Sequence, residues 1–391
     1  MNRLYYTDSM QRTFTSRVTR CDEADGHVRV VLESTAFYPT SGGQPFDTGT
    51  LGSASVIDVV DDDESGVVHV VDRPLTVGET VEGVIDWSRR FDHMQQHTGQ
   101  HILSAAFDRT YGVRTESFHL GTTSCTIDLA REVTAAEIAQ AERVASQVVW
   151  DDRSVTVRFA TEQEAAALPL RKESLRSGTL RLVDVTDFDL SACGGTHVPR
   201  TGMVGMIAVA GCERFRGGSR IEFVCGGRAL ASYARLRDQV TTLVRQLTVA
   251  PAELAGAVER LHTENRAAQK TIRALQEELA THLAATLVAS AEDVGEFRRV
   301  LVEQPGWDAT ALKALASALA SHPGIVAVVT GSGTPAPFVV ARAADVVFDA
   351  GACVKQITAA LGGRGGGRPE LAQGAAADPA TVLAFARDSV R

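Results

Sequence analysis

The sequence predicts a multidomain chain built from β and α/β parts. A small N-terminal β-barrel is expected over 1–87, an α/β domain over 88–226, a helical, coiled-coil-like linker over 227–290 and a second α/β domain over 291–391. Three observations predict this. The 391 residues suffice for two or three separate cores. The hydrophobic period changes from two to about 3.6 near Ser88. After Pro251, apolar residues recur in alternating steps of four and three.

In order, "HVRVVLES", "SASVIDVV", "GVVHVVD" and "VEGVIDW" alternate β-branched residues and are separated by "DDDESG" and "DRP", which predicts short strands closing as a barrel or sandwich. "RRFDHMQQHTGQHILSAAFDRTYG" reads as a helix with Gly112 as its stop. The pair "TESFHLG" and "TSCTIDL" reads as strands. Thr134 and Glu137 open a second helix with a capping box. "SVTVRFA", "LRLVDVTD", "GMIAVAG" and "SRIEFVCG" complete this unit near residue 226. Leu254, Val258, Leu261, Asn265, Ala268, Ile272, Leu275 and Leu279 then form a seam with one polar position. The seam fits a coiled-coil hairpin or dimer; a helix packed on its own domain gives the same pattern. Strands at "FRRVLVEQ", "GIVAVVTGS" and "APFVVARA" alternate with helices to the C-terminus.

Composition narrows the function. With 44% hydrophobic and 22% charged residues the chain has the make-up of an ordinary globular protein. No apolar run is long enough to span a membrane, and "MNRLYYTDSMQRTF" has no signal-like core, so a cytoplasmic protein without a membrane partner is expected. Six scattered cysteines do not suggest a disulfide scaffold. The net charge of -9 argues against a general nucleic-acid surface and leaves local patches open, such as "RFRGGSR" and "LGGRGGGRPE", both read as arginine-glycine loops.

The chemistry concentrates in three stretches. In "HMQQHTGQHILSAAF", His97 and His101 lie four apart on one helix face and can converge on an ion. Thr98 stands where a zincin would need glutamate, which removes the metalloprotease base. "SACGGTHVPRTG" adds Cys193 and His197, completing a nitrogen and sulfur set suited to zinc. His93 is the spare histidine, placed behind the ligands or on the surface. A fold-stapling zinc and a zinc at the floor of a cleft both fit these spacings. In "FYPTSGGQPFDTG", Gly42 and Gly43 permit close approach of backbone to a ligand, while Thr40, Ser41 and Gln44 offer polar groups. Asp92 is placed to accept from a ring nitrogen of a ligand histidine, and Cys212 and Cys225 read as small core residues.

Together "FYPTSGGQPFDTG", "HTGQHILSAAF" and "CGGTHV" resemble the editing domain of alanyl-tRNA synthetase and its freestanding AlaX-type relatives. "LGGRGGGRPELAQGA" is similar to the DHHA1 domain that follows it in that family. With the barrel beginning almost at Met1, the long freestanding form is the expected match. The resemblance implies a zinc-dependent aminoacyl-tRNA deacylase with Zn2+ on His97, His101, Cys193 and His197. The implied partner is tRNA(Ala) mischarged with serine or glycine, chiefly serine, with alanyl-tRNA(Ala) spared. Thr98, Thr40 and Gln44 are the candidates to sense the serine hydroxyl. Glu116 and His119 are expected in the same cleft, His119 as a base, although "RTESFHLG" departs from the synthetase pattern of glutamine before Gly-Ser. Lys355, Arg364 and Arg368 are expected to meet tRNA phosphates. A homodimer through 227–290 or the C-terminal domain stays open, and so does a non-catalytic tRNA-binding module with a structural zinc.

Overall fold

The computed structural model describes all residues except 25 and 172–177, and divides into two compact units, Met1–Thr242 and Leu243–Arg391. In the first unit, six antiparallel strands close into a barrel. Their order round the ring is Thr13–Ala24, His27–Leu32, Gly66–Val71, Ala54–Asp62, Gly49–Leu51 and Thr80–Ile85. Period-2 alternation sends one face of each strand inward. In Ala54–Asp62 the inward set is Ala54 and Val56, then Val59, because an irregularity between Val56 and Asp58 flips the faces. Ile57 and Val60 are therefore left outside. The barrel core also holds one polar pair: His69 Nε2 and Thr35 Oγ1 lie 2.8 Å apart, and His69 Nδ1 donates to the Val30 carbonyl at 3.1 Å.

The helix Trp87–Tyr111 leaves the barrel. Asp86 caps its start by accepting from the Arg89 N–H, and Gly112, at φ +64°, ends it. From Met94 to Phe107 it is buried almost all round, except at Gln95. Such a helix lies inside a fold, so its polar residues must find partners. Around it stand a four-stranded antiparallel sheet (Ile207–Phe215, Gly218–Cys225, Cys125–Leu129, Thr115–Leu120) and a three-stranded one (Val155–Ala160, Leu180–Val185, Asp189–Ala192). The helix Ala135–Trp150 begins with the Thr134–Glu137 capping box. A buried ion pair between Arg90 and Asp47 fastens the 37–49 loop to the central helix, and Asp47 Oδ2 also accepts from the Tyr38 N–H at 2.6 Å.

The helix Gly226–Leu247 is mostly exposed, with Ala229 its buried residue. After a 3-10 turn at Pro251–Glu253, a single helix runs from Leu254 to Ala289. It is buried near its C-terminal end, where Ala280 and Ala284 join Leu312, Leu315 and Leu319 in a core. The apolar seam residues Val258, Leu261, Ile272, Leu275 and Leu279 are all exposed. The C-terminal sheet has the order Glu292–Asp293, Arg298–Glu303, Ile325–Thr330, Ala336–Arg342, Leu371–Ala376, Gly363–Gly367. The expected glycine-arginine loop is thus the outer strand of this sheet, paired antiparallel with Leu371–Ala376. Glycine weakens a strand and is tolerated best at an edge. Among the described residues, no helix is long and apolar enough to cross a membrane.

Candidate metal centre and its cavity

Two separate segments bring the donors together. His97 and His101 come from one face of the central helix. Cys193 and His197 come from the turn after the strand Asp189–Ala192. One ligand atom from each of the four lies within 4.8 Å of all the others. Cys193 Sγ is 3.4 Å from His97 Nε2 and 3.3 Å from His197 Nε2. The turn passes so close to the helix that a Cβ on Gly195 would stand 2.2 Å from His97 Cε1, so glycine is required there.

Each imidazole has its Nδ1 engaged away from the centre. His97 Nδ1 is 2.8 Å from Gln44 Oε1, His101 Nδ1 is 3.0 Å from Asp189 Oδ2, and His197 Nδ1 is 3.1 Å from Thr98 Oγ1. An acceptor at Nδ1 fixes the proton there and leaves Nε2 as a lone pair for a metal. The supporting groups are themselves held. Gln44 Oε1 also accepts from the Thr196 N–H, and its Nε2 donates to Thr196 Oγ1. Thr98 Oγ1 also accepts from the Val198 N–H at 3.2 Å. Asp189 receives Arg171 Nε at 2.6 Å and the Ser191 hydroxyl at 2.9 Å.

The electrostatics agree with a metal-binding set. Burial opposes a thiolate at Cys193, yet the surrounding His97 and His197 hold the thiol well below its usual range. Burial likewise opposes the charge on Asp189, and the His101 and Arg171 partners overcome it and keep it a carboxylate. His101 is pushed up to about 9 by Asp189 and Cys193 against the opposing effect of burial, while burial pulls His197 down to about 3. Without an ion His101 therefore retains a second proton at neutral pH, which a metal would displace on binding; three imidazoles and one thiolate then fit zinc.

The cluster lies against a cavity of about 480 Å3 whose lining includes His97, His101, Cys193, Gln100, Glu116, Phe118 and Arg181. Gly42 lines it, and Gly43 lies beneath Phe118, where a Cβ would meet the ring at 2.9 Å. Arg181 donates to the carbonyls of Tyr6 and Cys193, which leaves its Nη2 buried and without a partner among the described residues.

Several expected residues fall elsewhere. Thr98 is fully buried behind His197 and does not line the cavity. Gln44 likewise supports His97 instead of facing the cavity. Thr40 is exposed and outside the lining, as is His119; Glu116 is in it. Asp92 pairs with Arg228 at 2.6 Å, not with a ligand histidine. His93 is buried, not on the surface, and its Nδ1 has no partner among the described residues. Cys225 is buried as expected, whereas Cys212 is exposed. Lys355 on the helix Ala350–Leu361, Arg364 in the edge strand and Arg368 beyond it are all exposed in the C-terminal unit. Asp189, Arg181 and Gln100 are residues that sequence reasoning missed; of these Asp189 supports a ligand directly. Its one local signal is the spacing with Ser191, which puts both on the same face of the strand leading to Cys193.

Models of three families match the chain: "tRNA synthetases class II (A)" over 7–89, "Threonyl and Alanyl tRNA synthetase second additional domain" over 180–222, and "DHHA1 domain" over 297–390. The alanine–tRNA ligase of Pyrococcus furiosus is 35% identical over 95% of this chain and 41% of its own. That of Halobacterium salinarum is 36% identical over 96% of this chain and 42% of its own. The chain therefore spans about two fifths of the length of these ligases. The alanyl-tRNA editing protein Aarsd1 of Rattus norvegicus is 32% identical over 78% of this chain and 81% of its own. A His/Cys centre beside a barrel, with one match over the barrel and another over Cys193 and His197, defines the class as synthetase-related editing modules. Within that class, the chain belongs to the alanyl-tRNA editing protein family.

Proposed function

We propose that the protein hydrolyses, in trans, the ester of tRNA(Ala) mischarged with serine, and to a lesser extent glycine, and spares alanyl-tRNA(Ala). One observation carries the reading: four metal-type donors converge beside a cavity, each imidazole presenting Nε2 because its Nδ1 is taken. His97, His101, Cys193 and His197 would hold Zn2+. When bound, the ion supplies positive charge that holds the aminoacyl end and polarises its ester carbonyl. Gln44, Asp189 and Thr98 fix the imidazoles so that the donors need no reorganisation. Gly42 lets the backbone approach the substrate. Arg181 brings a buried guanidinium to the cavity wall, where it favours charge developing on the ester oxygen. Water attacks the carbonyl carbon and the bond to the ribose oxygen breaks. Glu116, the carboxylate of the lining nearest in sequence to the helix ligands, takes the proton from water and returns it to the ribose oxygen.

Lys355, Arg364 and Arg368 are exposed cations suited to tRNA phosphates, and the uncovered seam from Val258 to Leu279 suits a second copy of the chain. Cys193→Ala tests the central reading: it should lower both zinc content and deacylation of seryl-tRNA(Ala). Loss of zinc with turnover intact would make the ion structural and reject the proposed catalysis.

A further inference from the structure

Thr98 and Gln44 are spent on His197 and His97, so neither is available to recognise a substrate hydroxyl. A different group in the same cavity is available. Gln100 sits on the central helix immediately before His101 and lines the cavity with His97, His101 and Thr115. It is 2% exposed. Its Nε2 donates to Ser104 Oγ at 2.9 Å, and the Thr115 hydroxyl donates to the same oxygen at 2.8 Å. This chain orients the amide and leaves Oε1 buried with no partner among the described residues.

We propose that Gln100 is the specificity-determining residue that reads the serine hydroxyl, an assignment resting on the deacylase reading above. A buried carbonyl oxygen without a donor carries its desolvation cost unrelieved. A seryl side chain relieves it with its O–H. An alanyl methyl group or a glycyl hydrogen cannot. A site built around such an acceptor therefore rejects the substrate that lacks the hydroxyl, which an apolar pocket of the same size cannot do. Because a hydroxyl both donates and accepts, it satisfies whichever end of the amide is turned inward.

The test compares kcat/KM for seryl-, glycyl- and alanyl-tRNA(Ala) in the zinc-loaded wild type, Gln100→Met and Gln100→Glu. Gln100→Met keeps the side-chain length and removes the amide. It should lower the seryl value about 10- to 100-fold while moving the glycyl value less than about 3-fold, with zinc content unchanged. Gln100→Glu keeps an acceptor at that reach and should restore most of the seryl-to-glycyl ratio. If Gln100→Met loses zinc, Gln100→Ala, which adds no bulk, is read by the same ratio. An unchanged seryl-to-glycyl ratio in the amide-free variant overturns the assignment, as does an equal fall for both esters. Failure of the underlying reading would look different: the wild type itself would leave seryl-tRNA(Ala) intact.

Discussion

Replacing Asp189 by asparagine exchanges one carboxylate oxygen for an NH2 group. In the native protein one oxygen receives His101 Nδ1 and the other receives Arg171 Nε, with Ser191 Oγ close to both. The asparagine NH2 must therefore face one of these donors. Turned toward Arg171, it sets donor against donor beside a guanidinium whose side chain is 14% exposed. Turned toward His101, it drives the proton from Nδ1 to Nε2, the atom that faces the metal. Either outcome weakens the centre without removing a ligand. Partners of this kind are worth about 10- to 100-fold in metal affinity, or about 1.4 to 2.8 kcal/mol. The assay is a competitive zinc titration against a chromophoric chelator, with the melting temperature of the metal-free variant as a check on folding. A folded Asp189→Asn protein that binds zinc as tightly as the wild type would refute the role given to Asp189.

Thr98→Val keeps the shape and removes the acceptor for His197 Nδ1 and the Val198 N–H. It should weaken zinc several-fold and leave the seryl-to-alanyl ratio unchanged; a shift in that ratio at full zinc occupancy would return Thr98 to substrate sensing. His69 is buried in the barrel, and burial lowers its pKa to about 4. With about 6.5 in the unfolded chain, the unfolded state binds the extra proton first. The contribution of His69 is thus complete above about pH 6.5 and is lost as pH falls toward about 4, by at most about 3 kcal/mol. Denaturant unfolding across pH 4 to 7 should be flatter in this window for His69→Gln than for wild type; an identical slope would contradict the assignment. Leu275→Glu places a charge in the exposed seam, and light scattering should show wild-type dimers becoming monomers. A wild-type monomer would dismiss the second copy as partner.

The four donors were legible because each pair is local: a spacing of four on a helix and of four in a glycine turn. What the sequence could not supply was direction. Thr98 and Gln44 stood out as polar groups near the ligands, but only the packed fold turns them toward Nδ1 atoms and away from the cavity. Asp189 meets His101 across 88 positions, a relation no local pattern encodes. His93 shares the spacing of the ligands yet stands one helical turn before His97 and is not among the four converging donors. In the fold, the long strand Thr13–Ala24 lacked a clean alternation because its register shifts between Val18 and Arg20. Gly363–Gly367 read as a loop because its pairing depends on a neighbouring strand and not on its own side chains.

The most direct test of the account is turnover of purified protein, loaded with zinc, on separately prepared seryl-tRNA(Ala) and alanyl-tRNA(Ala). The account predicts that the seryl ester is released rapidly, the alanyl ester persists, and chelation of the metal abolishes the difference. Equal hydrolysis of both esters, or seryl release that is indifferent to chelation, would contradict it.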